Sequence, residues 1–144
     1  MNKKIKYLFS ILILLIFISP ALFSSGNKES QTTTNEETTK VAQYNKIDTQ
    51  TAKNAFDTQD DITIIDVRTA AEFSSGHVKD AINIPLDVVE ATVLERYPDK
   101  NEKIYLYCRS GNRSSQAAKL LVAQGYTNVY DFGGIISWPY EIVK

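Results

Sequence analysis

Cys108 is the single cysteine of this 144-residue chain, and it opens the segment Cys108-Arg109-Ser110-Gly111-Asn112-Arg113-Ser114. The apolar residues 104–107 precede it and an amphipathic stretch, residues 114–124, follows it. A strand that ends on a cysteine and turns through a polar, glycine-containing loop into a helix aims backbone N–H groups and the positive helix end at one spot. Arg109 and Arg113 add two cations to the same loop. Each of these influences favours thiolate over thiol. A thiol with a pKa of about 8.5 is about 3% ionised at pH 7, whereas one lowered to about 7 is half ionised. The segment therefore reads as a nucleophile and an anion cradle in one loop. A lone cysteine is more often an inert apolar side chain at the end of a strand. One set among Arg, Ser, Gly, Asn, Arg and Ser has no apolar surroundings to keep it inert.

Other residues with chemical potential have plainer readings. Asp66 and Arg68 close a strand-like stretch, where ligands of open α/β sheets tend to lie. They are read as structural, with Arg68 and Glu72 at the four-residue spacing of a helical ion pair. His77, in Ser74-Ser75-Gly76-His77, is read as a turn histidine rather than a general base, since nothing in the sequence brings it to Cys108. Phe132, Trp138 and Tyr140 are expected to pack, and Asp131 with Gly133-Gly134 is expected to lie near the rim of the site. One cysteine and one histidine supply neither an internal disulfide nor the usual structural zinc set. No metal and no organic cofactor is expected.

The elements that must position Cys108 follow from patterning. Residues 62–67, 81–84, 104–107 and 129–130 are short runs rich in β-branched and aromatic side chains, as strands require. Residues 49–56, 87–97 and 114–124 place apolar side chains three and four apart, as helices do, and Gly125 suits the end of the last one. Strands alternating with helices predict an α/β domain with a mostly parallel sheet. No internal repeat is present. The 16 basic and 17 acidic residues leave no surface charge that points to nucleic acid as a partner.

The amino terminus has a different character. Lys3, Lys4 and Lys6 precede an apolar run from Tyr7 to Ile18, and Ser19, Pro20, Ala21, Ser24, Ser25 and Gly26 follow. This is the layout of an export signal, and its 12 residues fall short of the roughly 20 that a membrane span needs. Residues 1–25 are expected to be a cleaved signal peptide, with membrane attachment through this segment only if it is left uncleaved. The expected location is outside the cytoplasm, in a periplasmic or comparable compartment. No cysteine follows the run to accept a lipid. Residues 26–45, polar and without apolar periodicity, are expected to be a disordered linker, and residues 46–144 to be the folded domain.

Four motifs then resemble, in order, those of the rhodanese homology domain. Ile65-Asp66-Val67-Arg68 with Glu72-Phe73 is similar to its first signature, and Gly76-His77-Val78 with Ala81-Ile82-Asn83-Ile84-Pro85-Leu86 to the continuation. Cys108 to Ser114 is similar to the active-site loop, and Gly125-Tyr126, Asn128-Val129, Gly133-Gly134 and Trp138 resemble the carboxy-terminal signature. Each motif alone is weak, but four in the same order over nearly the whole folded part are specific. The resemblance implies a central, mostly parallel sheet flanked by helices on both faces. It also implies that Cys108 carries sulfur as a persulfide, cradled by Arg109, Ser110, Gly111, Asn112, Arg113 and Ser114.

The implied reaction moves a sulfane sulfur from thiosulfate or a similar small anionic donor to cyanide or to a small-molecule or protein thiol. Two rivals accompany it. A non-catalytic binding module of the same family is made less attractive by the intact cysteine and cationic loop. A phosphatase is disfavoured because related phosphatases separate cysteine and arginine by five residues, and here Cys108 and Arg113 are separated by four. A narrower ring of N–H groups is poorly sized for the equatorial oxygens of a transferring phosphoryl group.

Overall fold

The strand that delivers the cysteine, β5 (Lys103–Cys108), is the middle strand of a five-stranded parallel sheet. Its residues Ile104 to Cys108 are all buried, which suits a strand covered on both faces. The computed structural model describes residues 43–144, so the expected signal peptide and nearly all of the expected linker lie outside the described residues. Around β5 the chain supplies β1 (Asn45–Lys46), α1 (Thr49–Thr58), β2 (Thr63–Asp66), α2 (Ala70–Ser75), β3 (His77–Val78), β4 (Ile82–Asn83), α3 (Val89–Arg96), α4 (Asn112–Ala123), β6 (Asn128–Gly134) and β7 (Ile142–Val143). The sheet order is β1-β6-β5-β2-β4, and β3 pairs with β7 in a separate antiparallel ribbon. The α/β class and the flanked, mostly parallel sheet are as expected from sequence.

Alternation along β5 divides the core. Ile104, Leu106 and Cys108 join Ile65, Val129, Val93 of α3 and Ala117, Ala118 and Leu121 of α4 in an aliphatic layer. Tyr105 and Tyr107 point the other way and join Ala52 of α1, Phe132 and Trp138 in an aromatic layer. Truncating one of the large aliphatic residues, such as Leu106→Ala, should destabilise by about 2–5 kcal/mol.

β3 and β7 lie outside the expected strands, and other elements differ from the patterning as well. β1 begins at Asn45, one residue before the expected domain start, because its backbone pairs with Tyr130 and Asp131 of β6; two polar residues carry no apolar signal. β6 extends to Gly134, well beyond residues 129–130, since Gly134 pairs with Cys108 after a shift in register. Helical spacing was expected from Arg68 to Glu72, but α2 begins only at Ala70. Thr69 and Glu72 form its capping box, in which the Thr69 hydroxyl accepts from the Glu72 N–H and the Glu72 carboxylate accepts from the Thr69 N–H.

Candidate active site

At the carboxy end of β5 the chain leaves the sheet at Cys108, crosses Arg109 and Ser110, and turns through Gly111 into α4. Gly111 has φ +98°, a left-handed conformation that favours glycine. This turn starts the helix at Asn112, two residues earlier than residue 114. Asn112, Arg113 and Ser114 therefore form the first turn of α4, and only Arg109, Ser110 and Gly111 form the loop.

No side chain caps α4. The Gly111 N–H, on the residue that precedes the helix, donates to Cys108 Sγ at 3.1 Å. Contrary to the expectation that its surroundings are not apolar, Cys108 is buried in the aliphatic layer, and that burial pushes its thiol pKa up. The N–H groups of Ser114, Gly111 and Ser110, joined by the Ser114 hydroxyl, outweigh that burial and hold it below the ordinary value of 9.0. Ser114 is fully buried, and its single hydroxyl proton is shared among acceptors, with the carbonyl oxygens of Gly111 at 3.1 Å and Gly133 at 3.3 Å both within reach of Oγ. One side chain thus ties the loop, the helix start and the end of β6 together.

The floor of the loop is set by Gly134. A Cβ at this position would stand 2.6 Å from Ser110 Cα and collide with the Arg109 carbonyl. The absence of a side chain lets the loop lie against β6. Asp131 stands just before this glycine pair, fully buried rather than at a rim, and accepts from the Gly133 N–H at 3.0 Å. It braces the turn beneath the loop, which corrects its expected place.

The two arginines are not equivalent. Arg109 is exposed at the loop edge. Arg113 is held by two charge-assisted hydrogen bonds, each 2.8 Å, to the two carboxylate oxygens of Glu72. The pKa of Arg113 is raised first by Glu72 and, less strongly, by Cys108, so its guanidinium lies within the influence of both. In return, the Arg113 hydrogen bonds pull Glu72 down to about 2. Sequence spacing had offered Glu72 to Arg68. Arg68 precedes the Thr69 cap and so lies outside α2, and its guanidinium turns back to Asp66 at 2.6 Å and to the Gly76 carbonyl at 2.7 Å. Glu72 is the site residue that sequence reasoning misassigned. Its true partner is 41 positions away, beyond the reach of any local spacing rule.

His77 lies in β3 rather than a turn. Its ring stacks on Phe73 with centroids 3.8 Å apart, and Nδ1 lies 3.1 Å from the Phe73 carbonyl oxygen. No hydrogen bond among the described residues links it to Cys108. A cavity of about 400 Å³ over Phe56, Trp138 and Tyr140 shares no lining residue with the cysteine loop. A smaller groove of about 250 Å³, lined by Val67, Thr69, Pro85, Leu86, Asp87 and Arg113, adjoins it. Of the two spaces, only the smaller includes a residue of the first turn of α4, Arg113, whose guanidinium lies within the influence of Cys108.

A family model described as "Rhodanese-like domain" matches residues 48–139. A protein named sulfurtransferase from Allochromatium vinosum is 36% identical over 95 residues, covering 65% of this chain and 87% of its own length. The thiosulfate sulfurtransferase PspE of Escherichia coli is 42% identical over 71 residues, covering 49% of this chain and 68% of its own. A solved structure described as a rhodanese with anions from E. coli superposes with a TM-score of 0.54 at 39% identity, over 57% of this chain and 96% of that one.

Proposed function

The chain belongs to the rhodanese-like domain family, and from that membership we propose that Cys108 carries sulfur as a persulfide between an anionic donor and a thiol or cyanide acceptor. Relatives named as sulfurtransferases support sulfur transfer as the general activity. The observation that carries the finer reading is the Cys108 sulfur accepting from the Gly111 N–H at the start of α4, with its pKa lowered by the surrounding N–H groups.

In the first step the Cys108 thiolate attacks the outer sulfur of thiosulfate. A Cys108 S–S bond forms, the donor's S–S bond breaks, and the electron pair leaves with sulfite. In the second step an acceptor thiolate attacks the outer sulfur of the protonated persulfide. The acceptor becomes the persulfide, keeping that proton, and the electron pair of the broken bond returns to Cys108 as thiolate. The loop N–H groups stabilise negative charge on sulfur at each stage. With one cysteine in the chain, the sulfur must leave to an external acceptor.

Intact mass spectrometry of the full chain after thiosulfate treatment tests this directly. The expected result is a gain of one sulfur atom, reversed by cyanide or excess thiol and absent in Cys108→Ser. Turnover without that gain, or the same gain in Cys108→Ser, overturns the reading. Export through residues 1–25 is part of the same proposal. Cell fractionation should find a shortened chain outside the cytoplasm, and a full-length cytoplasmic protein would refute it.

A further inference from the structure

The groove beside Arg113 is walled by the apolar side chains of Val67, Pro85 and Leu86, with Thr69 and Asp87 contributing polar atoms. Two backbone donors on the Pro85 side are already used, and the Asp87 N–H is the one left without a partner there among the described residues. The Leu86 N–H donates to the Val67 carbonyl at 3.2 Å and the Val88 N–H to the Pro85 carbonyl at 3.1 Å. A molecule lying here meets aliphatic surface and few free donors, unlike the N–H-rich loop next to it. Val88, 46% exposed, extends this apolar surface along the chain.

Charge then narrows the choice. Arg113 borders the groove, but its guanidinium is matched by both oxygens of Glu72. Asp87 is exposed and forms no ion pair among the described residues. The unbalanced charge along the groove is therefore negative, whereas the loop beside it is built to receive an anion. One site with two adjoining surfaces of opposite preference fits two substrates of different chemistry.

We propose that this groove is the acceptor subsite and that it selects aliphatic thiols with a cationic far end over anionic thiols of the same length. The inference rests on the persulfide reading above. The acceptor's stem lies along Val67, Pro85 and Leu86, its ammonium approaches Asp87, and its thiolate reaches the outer sulfur past Arg113. Attack forms the acceptor S–S bond and breaks the bond to Cys108, as already described. Cyanide is too small to use the groove.

The test uses the full chain loaded with sulfur from thiosulfate and follows the loss of that sulfur by mass. The acceptors are 3-aminopropane-1-thiol and 3-mercaptopropionate, and the quantity read is the ratio of their rates. Comparing that ratio between native and Asp87→Asn protein cancels the intrinsic reactivity of each thiol. The ratio should fall by up to about fivefold in Asp87→Asn, the scale of one exposed charge contact. Within a series of aminoalkyl thiols, each added methylene should raise the rate by up to about fourfold while it is being buried. Leu86→Ser should weaken that dependence. A chain that loads sulfur but shows the same ratio in native and Asp87→Asn protein, or no dependence on stem length, overturns the subsite alone. A native chain that never loads sulfur overturns the proposed reaction and the subsite with it.

Discussion

Two arginine–carboxylate pairs lie on either side of α2, and their surroundings give them different work. Arg68 and Asp66 are 2.6 Å apart with side chains 6% and 0% exposed, and the guanidinium is 5.7 Å from the Tyr107 ring. Arg113 and Glu72 form an equally direct pair at 2.8 Å, but both side chains are 31% exposed and the guanidinium borders the sulfur site. Burial would lower the Arg68 pKa, and the Asp66 carboxylate outweighs it. The first pair clamps the exit of β2 to Gly76 at the start of the β3–β7 ribbon. The second ties α2 to the first turn of α4. The same chemical pair is thus closed off where water is excluded and open to solvent where it stands beside the cysteine.

Removing one member of the buried pair should have the largest effect on stability. Arg68→Met leaves the buried Asp66 carboxylate at the end of β2 without a cation and should destabilise by about 3–5 kcal/mol, read as a lowered midpoint in urea unfolding. Sulfur uptake by the fraction that remains folded should be close to native. A loss below about 1 kcal/mol would erase the contrast between the pairs.

Arg113→Ala should produce the opposite pattern. Losing one charge-assisted contact to an anionic donor is worth about 1.5–3 kcal/mol, so kcat/KM for thiosulfate should fall by roughly 10- to 150-fold while the unfolding midpoint moves little. An uncharged sulfur donor should lose much less. Equal losses with both donors would show that Arg113 supports the loop rather than the donor. Gly134→Ala probes the loop from below: the added methyl should disturb Arg109 and Ser110 at a cost of about 1–3 kcal/mol and slow alkylation of Cys108, which depends on the N–H groups that hold its thiolate. An unchanged alkylation rate would mean that the loop tolerates displacement.

The comparison of the pairs also shows what could be read from the sequence. Ile104 to Tyr107 are an unbroken run of β-branched, aliphatic and aromatic side chains ending on Cys108, so β5 was legible from composition, as the apolar stripe of α4 was from its three- and four-residue spacing. Adjacent residues carried the cradle, because a strand-to-helix turn makes its N–H groups converge on whatever closes the strand. Glu72 and Gly134 were not legible in these roles. Glu72 meets Arg113 only because the sheet order brings α2 beside α4. Gly134 is required because β6 runs under the loop, a contact that has no local pattern. Arg68 and Glu72 illustrate the failure best: four-residue spacing pairs them only within a continuous helix, and the Thr69 cap falls between them.

The smallest expected effect separates the exposed pair from the buried one by pH. Glu72 has its pKa lowered from 4.5 to about 2, first by its hydrogen bonds to Arg113. A carboxylate whose pKa is lower when folded stabilises the fold above its unfolded value, and that contribution fades as pH falls through 4.5 toward 2. Because solvent screens this half-exposed pair, the contribution should be no more than about 1 kcal/mol. Glu72→Gln should therefore lower stability slightly at pH 7 and flatten part of the stability loss between pH 4.5 and about 2, as read from urea midpoints across that range. It also leaves the Arg113 charge unmatched beside Cys108, so thiosulfate should load sulfur with a lower KM. If Glu72→Gln instead destabilises by several kcal/mol with no change in KM, the exposed pair is a clamp like the buried one and the division of labour fails.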